Sequence, residues 1–154
     1  TFGWQNNFTW KNWDFSFFFR GTIGNKVLNN PRAAYANNTY LIGTNALDDE
    51  LTYTMKESSR VCSYYLENGS FIRLDNLALG YTFDTKKINW LDKARLYFAA
   101  QNLFVITGYK GLDPEVELFR GESSDTDAGL SPGIEPRQFF PKARTFTLGV
   151  NLTF

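Results

Sequence analysis

Histidine is missing from all 154 residues of this chain. That removes the His-dependent catalytic triads, the zincin motifs and every imidazole metal ligand. Serines are plentiful, but without an imidazole they lack their usual activating base. Cysteine is nearly missing too: Cys62 stands alone, so no internal disulfide can form. No apolar run approaches the roughly 18 residues of a membrane-crossing helix. Barrel strands hide their apolar residues in alternation, so this leaves a membrane protein open. Net charge is absent, with 16 basic against 16 acidic residues. No broad positive field is available for nucleic acid, which is not an expected partner. An initiator methionine and a signal peptide are absent as well, as expected of a mature or truncated piece.

What the chain has in abundance is aromatic: 15 Phe, 8 Tyr and 4 Trp, or 18% of the residues. Such richness suits lipid-facing girdles or a sugar-binding surface. The pattern is clearest in Arg144–Phe154. Phe146, Leu148, Val150, Leu152 and Phe154 alternate with Thr145, Thr147, Gly149, Asn151 and Thr153. Period two makes an extended strand with one oily and one polar face. A tilted strand of about 9–11 residues crosses the hydrocarbon of a bilayer, whereas soluble strands average about 5–6.

The same alternation recurs upstream. A strand near 1–11 carries Phe2, Trp4, Phe8 and Trp10, and a strand near 13–25 carries Phe15, Phe17 and Phe19 on one side. Phe18 falls on the polar side as a packed aromatic. A strand near 70–84 sets Leu77, Leu79, Tyr81 and Phe83 against Asn76, Ala78, Gly80 and Thr82. The run 94–107 is apolar on both sides, and its outward face is not fixed by the pattern. Segments 26–69 and 108–142 lose the alternation and read as long loops, the first with a short helix around Ala46–Ser59.

Connection lengths run short, long, medium, long. Transmembrane barrels have short periplasmic turns and longer outer loops. If Phe154 lies on the periplasmic side, loops 26–69 and 108–142 fall outside and the 11–13 and 84–93 connections inside. The expected fold class is therefore all-β: about five antiparallel up-and-down strands of a larger transmembrane barrel, since barrels need about eight or more strands to close. The expected lipid-facing set is Phe15, Phe17, Phe19, Leu77, Leu79, Phe146, Leu148, Val150 and Leu152. Gln5, Asn7, Asp14, Ser16, Arg20, Asn76, Thr82, Thr147 and Asn151 are expected on the opposite, wet side. A rival is a soluble β-rich carbohydrate-binding module with the aromatics as platforms.

Five stretches together carry a family resemblance. They are Trp10–Gly21 followed by Gly24-Asn25, Ser70–Tyr81, Ala94–Phe104, Gly111–Val116 and Phe140–Phe154. In this order they resemble the C-terminal barrel portion of SusC/RagA-type TonB-dependent outer-membrane transporters. The resemblance implies a barrel of about 22 strands with an N-terminal plug. It implies a cell outer-membrane location and import of glycans, or in some members peptides. The implied partners are a SusD-like surface lipoprotein, the TonB complex through N-terminal parts outside this sequence, the barrel-assembly machinery reading Phe154, and lipid. No cofactor and no catalytic role are implied.

Other candidates have plainer readings. Asp113, Glu115, Glu117, Glu122, Asp125 and Asp127 are hard oxygen ligands, but they lack EF-hand spacing and read as a solvated loop. A glycosidase pair among Asp113, Glu115 and Glu117 has nothing to place it about a pocket. Gly111–Glu115 reads as a turn in which Pro114 fixes φ and Asp113 bonds the following backbone. Trp4, Trp10, Trp13, Trp90, Tyr81 and Phe83 suit membrane-interface rings. Tyr35, Tyr40, Tyr53, Tyr64, Tyr65, Tyr109 and Phe119 lie in the long loops.

Overall fold

The computed structural model describes residues 1–36, 45, 47–49, 63–85, 90–116, 133–137 and 140–154. They fall into two units. The first comprises Thr1–Ile23, Phe71–Ile106 and Lys142–Phe154, and it is a single sheet. Its strands are β1 (Phe2–Trp10), β2 (Trp13–Thr22), β5 (Phe71–Phe83), β6 (Lys93–Thr107) and β7 (Thr145–Thr153). They lie in the order β1-β2-β5-β6-β7. Neighbours in the sheet are thus neighbours in the chain, apart from the segment inserted between β2 and β5.

A two-residue turn, Lys11-Asn12, closes the β1–β2 hairpin between Trp10 and its partner Trp13. Lys11 takes φ 54, the left-handed backbone that such turns demand of a central residue. The registers keep the alternation in phase. Phe8 pairs with Phe15 and Asn6 with Phe17 across β1–β2; Phe15 pairs with Leu79 and Phe17 with Leu77 across β2–β5. Directly paired side chains share a face, so the apolar rows merge into one surface.

The register settles the face of β6. Leu96 pairs with Val150, Phe98 with Leu148 and Ala100 with Phe146. The Leu96–Phe98–Ala100 row is therefore the apolar one, and Arg95, Tyr97, Ala99 and Gln101 lie on the polar side.

One register shift interrupts the β2–β5 ladder, and one residue of β6 has an unusual backbone. Between Phe18 and Phe19 of β2 the partner jumps from Asn76 to Leu74, so Asp75 is an extra residue in β5. In β6, Asn102 has φ 51. Both are polar residues at positions whose parity belongs to the apolar row. At Asp75 a bulge is the device that re-aims such a side chain.

The second unit comprises Gly24–Ser70 and Thr107–Pro141. The sequence reads 26–69 as a loop, but its ends are ordered into small elements. Strands β3 (Lys26–Leu28) and β4 (Leu66–Asn68) pair antiparallel, and α1 spans Asn30–Tyr35. Asn29 caps that helix by accepting from the Arg32 amide at 2.9 Å, and Pro31 sits in its first turn. Val27, Ala33, Ala34, Ala36 and Tyr65 are buried. The helix expected around Ala46–Ser59 is not seen at Leu47–Asp49, where the chain bends and the Asp49 amide bonds back to the Leu47 carbonyl. The rest of that expectation lies outside the described residues.

Candidate functional site

The two faces of the sheet differ sharply, and each is built from the alternation. On the apolar face, Trp4 packs edge-on to Phe17 at 5.2 Å and stacks on Phe19 at 6.1 Å. Phe8 stacks on Phe15 and Phe17, and Phe15, Phe17 and Phe19 touch in series. Phe19 reaches Phe104 at 6.2 Å, with Leu74 buried in the strand between them. Phe98 stacks on Phe146 at 6.2 Å. Neighbouring rings shield one another, so Phe15, Phe17, Phe19 and Leu77 are half-buried. Toward β7 the cover thins. Leu79, Phe146, Val150 and Leu152 are exposed, and Leu148 reaches 72% exposure.

Near the Lys11-Asn12 turn this face carries a cluster of larger rings. Trp13, Tyr81 and Phe83 are in successive contact at 4.7 and 4.8 Å. Trp90 stacks on Phe154 at 5.8 Å, and both are well exposed. A trough of about 350 Å³ runs between Trp13, Leu79, Tyr81, Phe83, Leu96, Phe98 and Leu148. Trp4 does not join this cluster; it lies among Phe17 and Phe19.

The polar face is stitched by charge. Asp14 of β2 and Arg95 of β6 form a two-pronged ion pair, with Nε to Oδ1 at 3.0 Å and Nη2 to Oδ2 at 2.5 Å. It steps over the intervening strand at Gly80, the register partner of Asp14. A Cβ at Gly80 would lie 2.5 Å from both Arg95 Nη2 and Asp14 Oδ1, so only glycine leaves room for the crossing. Gly149 plays the same part for Tyr97, its register partner, whose ring fills the place a Cβ would take. The Arg95 guanidinium lies 5.6 Å from that ring. Phe18 lies against Gly3, on the polar side as its parity predicts.

At the level of Asp75 and Asn102 a second set of links appears. Arg20 bonds Asp75, with Nε to Oδ2 at 3.0 Å. Arg73, which pairs with Arg20 in register, donates to Asn102. Asn102 in turn donates to the carbonyl of Lys142 at 2.6 Å. Between the two sets lies a shallow depression lined by Gln5, Ser16, Phe18, Asn76, Ala78, Ala99 and Gln101. Of the residues expected on this side, Asp14 and Arg20 hold ion pairs, and Gln5, Ser16 and Asn76 line the depression. Asn7, Thr147 and Asn151 pair in register with Ser16, Ala99 and Arg95, and the Thr82 amide bonds the Asn12 carbonyl at 2.8 Å. Sequence reading missed Arg73, Arg95 and Asn102. The signal for Arg95 was its position one residue from Leu96.

The second unit carries its own charge network. Arg32 of α1 bonds Asp49, Nε to Oδ2 at 2.7 Å, and Glu67 of β4, Nη1 to Oε1 at 3.1 Å. These two carboxylates raise the guanidinium pKa above its ordinary value, foremost through the Asp49 hydrogen bond. Glu67 Oε2 also accepts the Lys110 amide at 2.9 Å. Glu135 is fully buried and accepts from the Tyr109 hydroxyl at 2.6 Å and the Leu112 amide at 2.8 Å. Burial, and then the Glu135 hydrogen bond, push the Tyr109 pKa upward.

Asp113 accepts the Glu115 amide at 2.9 Å, which makes it the turn residue of Gly111–Glu115. It is buried. Among the described residues no group of acids, cysteines or histidines is placed to hold a metal. Glu117, Glu122, Asp125, Asp127, Cys62, Tyr40, Tyr53 and Phe119 lie outside the described residues.

No family model matches the chain. Over its whole length it is 33% identical to the TonB-dependent receptor P3 of Formosa agariphila, of which it covers 16%. It is 31% identical to the TonB-dependent receptor SusC of Bacteroides thetaiotaomicron, covering 15% of that protein. Among solved structures, 99% of the chain matches 17% of a chain of the RagAB peptide transporter, with TM-score 0.71 and 26% identity. The chain thus spans 15–16% of the length of these two curated relatives.

Proposed function

Because the chain belongs to the TonB-dependent receptors of the SusC/RagA type, we propose that its sheet is a section of the wall of an outer-membrane transport barrel. The apolar face, with Phe15, Phe17, Phe19, Leu77, Leu79, Phe146, Leu148, Val150 and Leu152, meets lipid. The polar face, with its ion pairs, meets the water-filled lumen. The whole protein imports oligomeric nutrients, glycans or peptides, driven through TonB and assisted by a SusD-like lipoprotein. The RagAB relative is described as a peptide transporter, which supports the peptide branch. The long segments 26–69 and 108–142 lie on the outer side and meet substrate and partner.

One observation carries the reading. A row of large apolar side chains runs across the sheet and ends on Phe146, Leu148 and Val150 at 59–72% exposure. The reverse face of the same strands holds bidentate charge pairs. A soluble sandwich buries its oily face; a barrel wall gives it to lipid.

Spin labels on Leu148→Cys and Thr147→Cys in the full-length protein, reconstituted in vesicles, test this. The label at 148 should collide with a lipid-soluble relaxer, and that at 147 with a water-soluble one. Two aqueous sites, or the reverse assignment, would sink it. Uptake of labelled oligopeptides against labelled oligosaccharides, with and without the lipoprotein, separates the substrate branches.

A further inference from the structure

The Asn102 side chain bonds on both flanks of its own strand. Its backbone sits at φ 51, where few residues other than glycine, asparagine and aspartate are at ease. Its side-chain oxygen accepts from Arg73 of β5. Its amide nitrogen donates to the carbonyls of Lys142 at 2.6 Å and Ala143 at 3.3 Å. The chemistry fixes the orientation of the amide. A guanidinium can only donate and a backbone carbonyl can only accept, so the oxygen must face Arg73 and the nitrogen the carbonyls.

The place of these bonds in the ladder gives them meaning. The β6–β7 register ends at Gln101 paired with Thr145. Asn102 is the next residue of β6, and Lys142 and Ala143 lie just before β7. The backbone ladder ends at the rung of Gln101 and Thr145, and the side-chain amide supplies the donors one step beyond it. This is the strand counterpart of a helix cap: a side chain satisfies backbone groups that the regular structure leaves over.

We propose that Asn102 is a positioning residue that caps the entry of β7 and fixes where the chain returns to the sheet from segment 108–142. The link to Arg73 orients the amide; the link to the two carbonyls holds the returning strand. The transport consequence rests on the reading of 108–142 as an outer loop: movement of that loop stops at Ala143 instead of unzipping β7 from β6.

Hydrogen exchange of the full-length protein in lipid vesicles tests the assignment. Asn102→Gly keeps the backbone conformation and removes the amide. Asn102→Asp keeps an acceptor for Arg73 and removes the donors. Both should speed exchange over residues 143–147 by roughly five- to tenfold, with β1 unchanged, as expected for losing two modest hydrogen bonds at a strand end. Arg73→Gln should change the same amides by no more than about twofold, since a neutral donor still orients the oxygen. Wild-type exchange in Asn102→Asp would overturn the proposal, because the Arg73 contact would then be what matters. Acceleration spread through β1 would overturn it too, because the residue would then support the whole sheet. Nutrient uptake by the same proteins reports separately on the transport reading: an inactive wild type with the expected exchange pattern removes that reading and leaves the cap standing.

Discussion

Adding one methyl group at Gly80 should test how the sheet is stitched. A Cβ there would come 2.5 Å from Arg95 Nη2 and from Asp14 Oδ1, and 2.6 Å from Oδ2. The backbone cannot yield without breaking pairing on both sides, so the ion pair must lift or open. The pair is partly exposed, at 35% for Arg95 and 40% for Asp14. Its worth is therefore about 1 kcal/mol, the upper end for exposed pairs, because the geometry is bidentate. Crowding adds about 1 kcal/mol, the low end of overpacking penalties, since Arg95 can move. Against these, alanine restricts the unfolded chain and returns about 0.4–1 kcal/mol. Gly80→Ala should thus destabilise by about 1 kcal/mol. In an Asp14→Ala, Arg95→Ala background both penalties vanish, and the same substitution should stabilise by about 0.4–1 kcal/mol. Urea titration of the full-length protein in lipid vesicles would measure this cycle. An equal loss in both backgrounds would refute the reasoning, since the methyl would then be clashing with something other than the ion pair.

Three further outcomes are expected. Leu148→Arg should cost about 2–4 kcal/mol in reconstituted unfolding titrations, the penalty for a cation on the lipid face; Thr147→Arg, whose register partner is Ala99 on the other face, should cost far less, and equal losses would mean that the faces are reversed. Arg32→Ala removes the guanidinium from the carboxylates of Asp49 and Glu67, which are only 18% and 12% exposed; Glu67 keeps the Lys110 and Asn29 amides, so the change should cost about 1–2 kcal/mol locally, seen as faster proteolysis between residues 24 and 70. Because the Tyr109 pKa is raised in the fold, its contribution is complete below about pH 10, the unfolded value, and is lost as pH rises toward the folded one. Tyr109→Phe should abolish that alkaline loss while costing about 1–3 kcal/mol at neutral pH, because Glu135 loses a donor; thermal melts at a series of pH values would show both effects.

The strands were legible because their signal is local. Phe146 to Phe154 alternate without a break, and Phe15, Phe17 and Phe19 needed only a count of two. The face of β6 was not legible, because Leu96 and Phe98 compete with Tyr97, Leu103 and Val105, and only pairing with Val150 and Leu148 decides between them. Asp75 and Asn102 are polar at apolar-row positions, and no pattern announces the bulge at Asp75 or the left-handed backbone at Asn102. The elements inside 26–69 are too short to show a period: β3 has three residues and α1 six. What orders them is distant in sequence, as Arg32 meets Asp49 and Glu67. The charge pair Asp14–Arg95 spans 81 positions, and nothing local to Asp14 points to its partner.

On the proposed reading of the polar face as a lumen wall, the crossing at Gly80 and the ring seated on Gly149 have a consequence for bore. Side chains on a lumen wall normally stand up from the sheet and narrow whatever passes. Here Arg95 and Tyr97 lie down, because a missing methyl at Gly80 and at Gly149 lets each rest against the backbone. The wall is thin where it is most strongly tied. Free cross-section and cohesion, which elsewhere oppose each other, are obtained together, and a cargo sliding past would meet flat charge pairs and ring faces in place of projecting side chains.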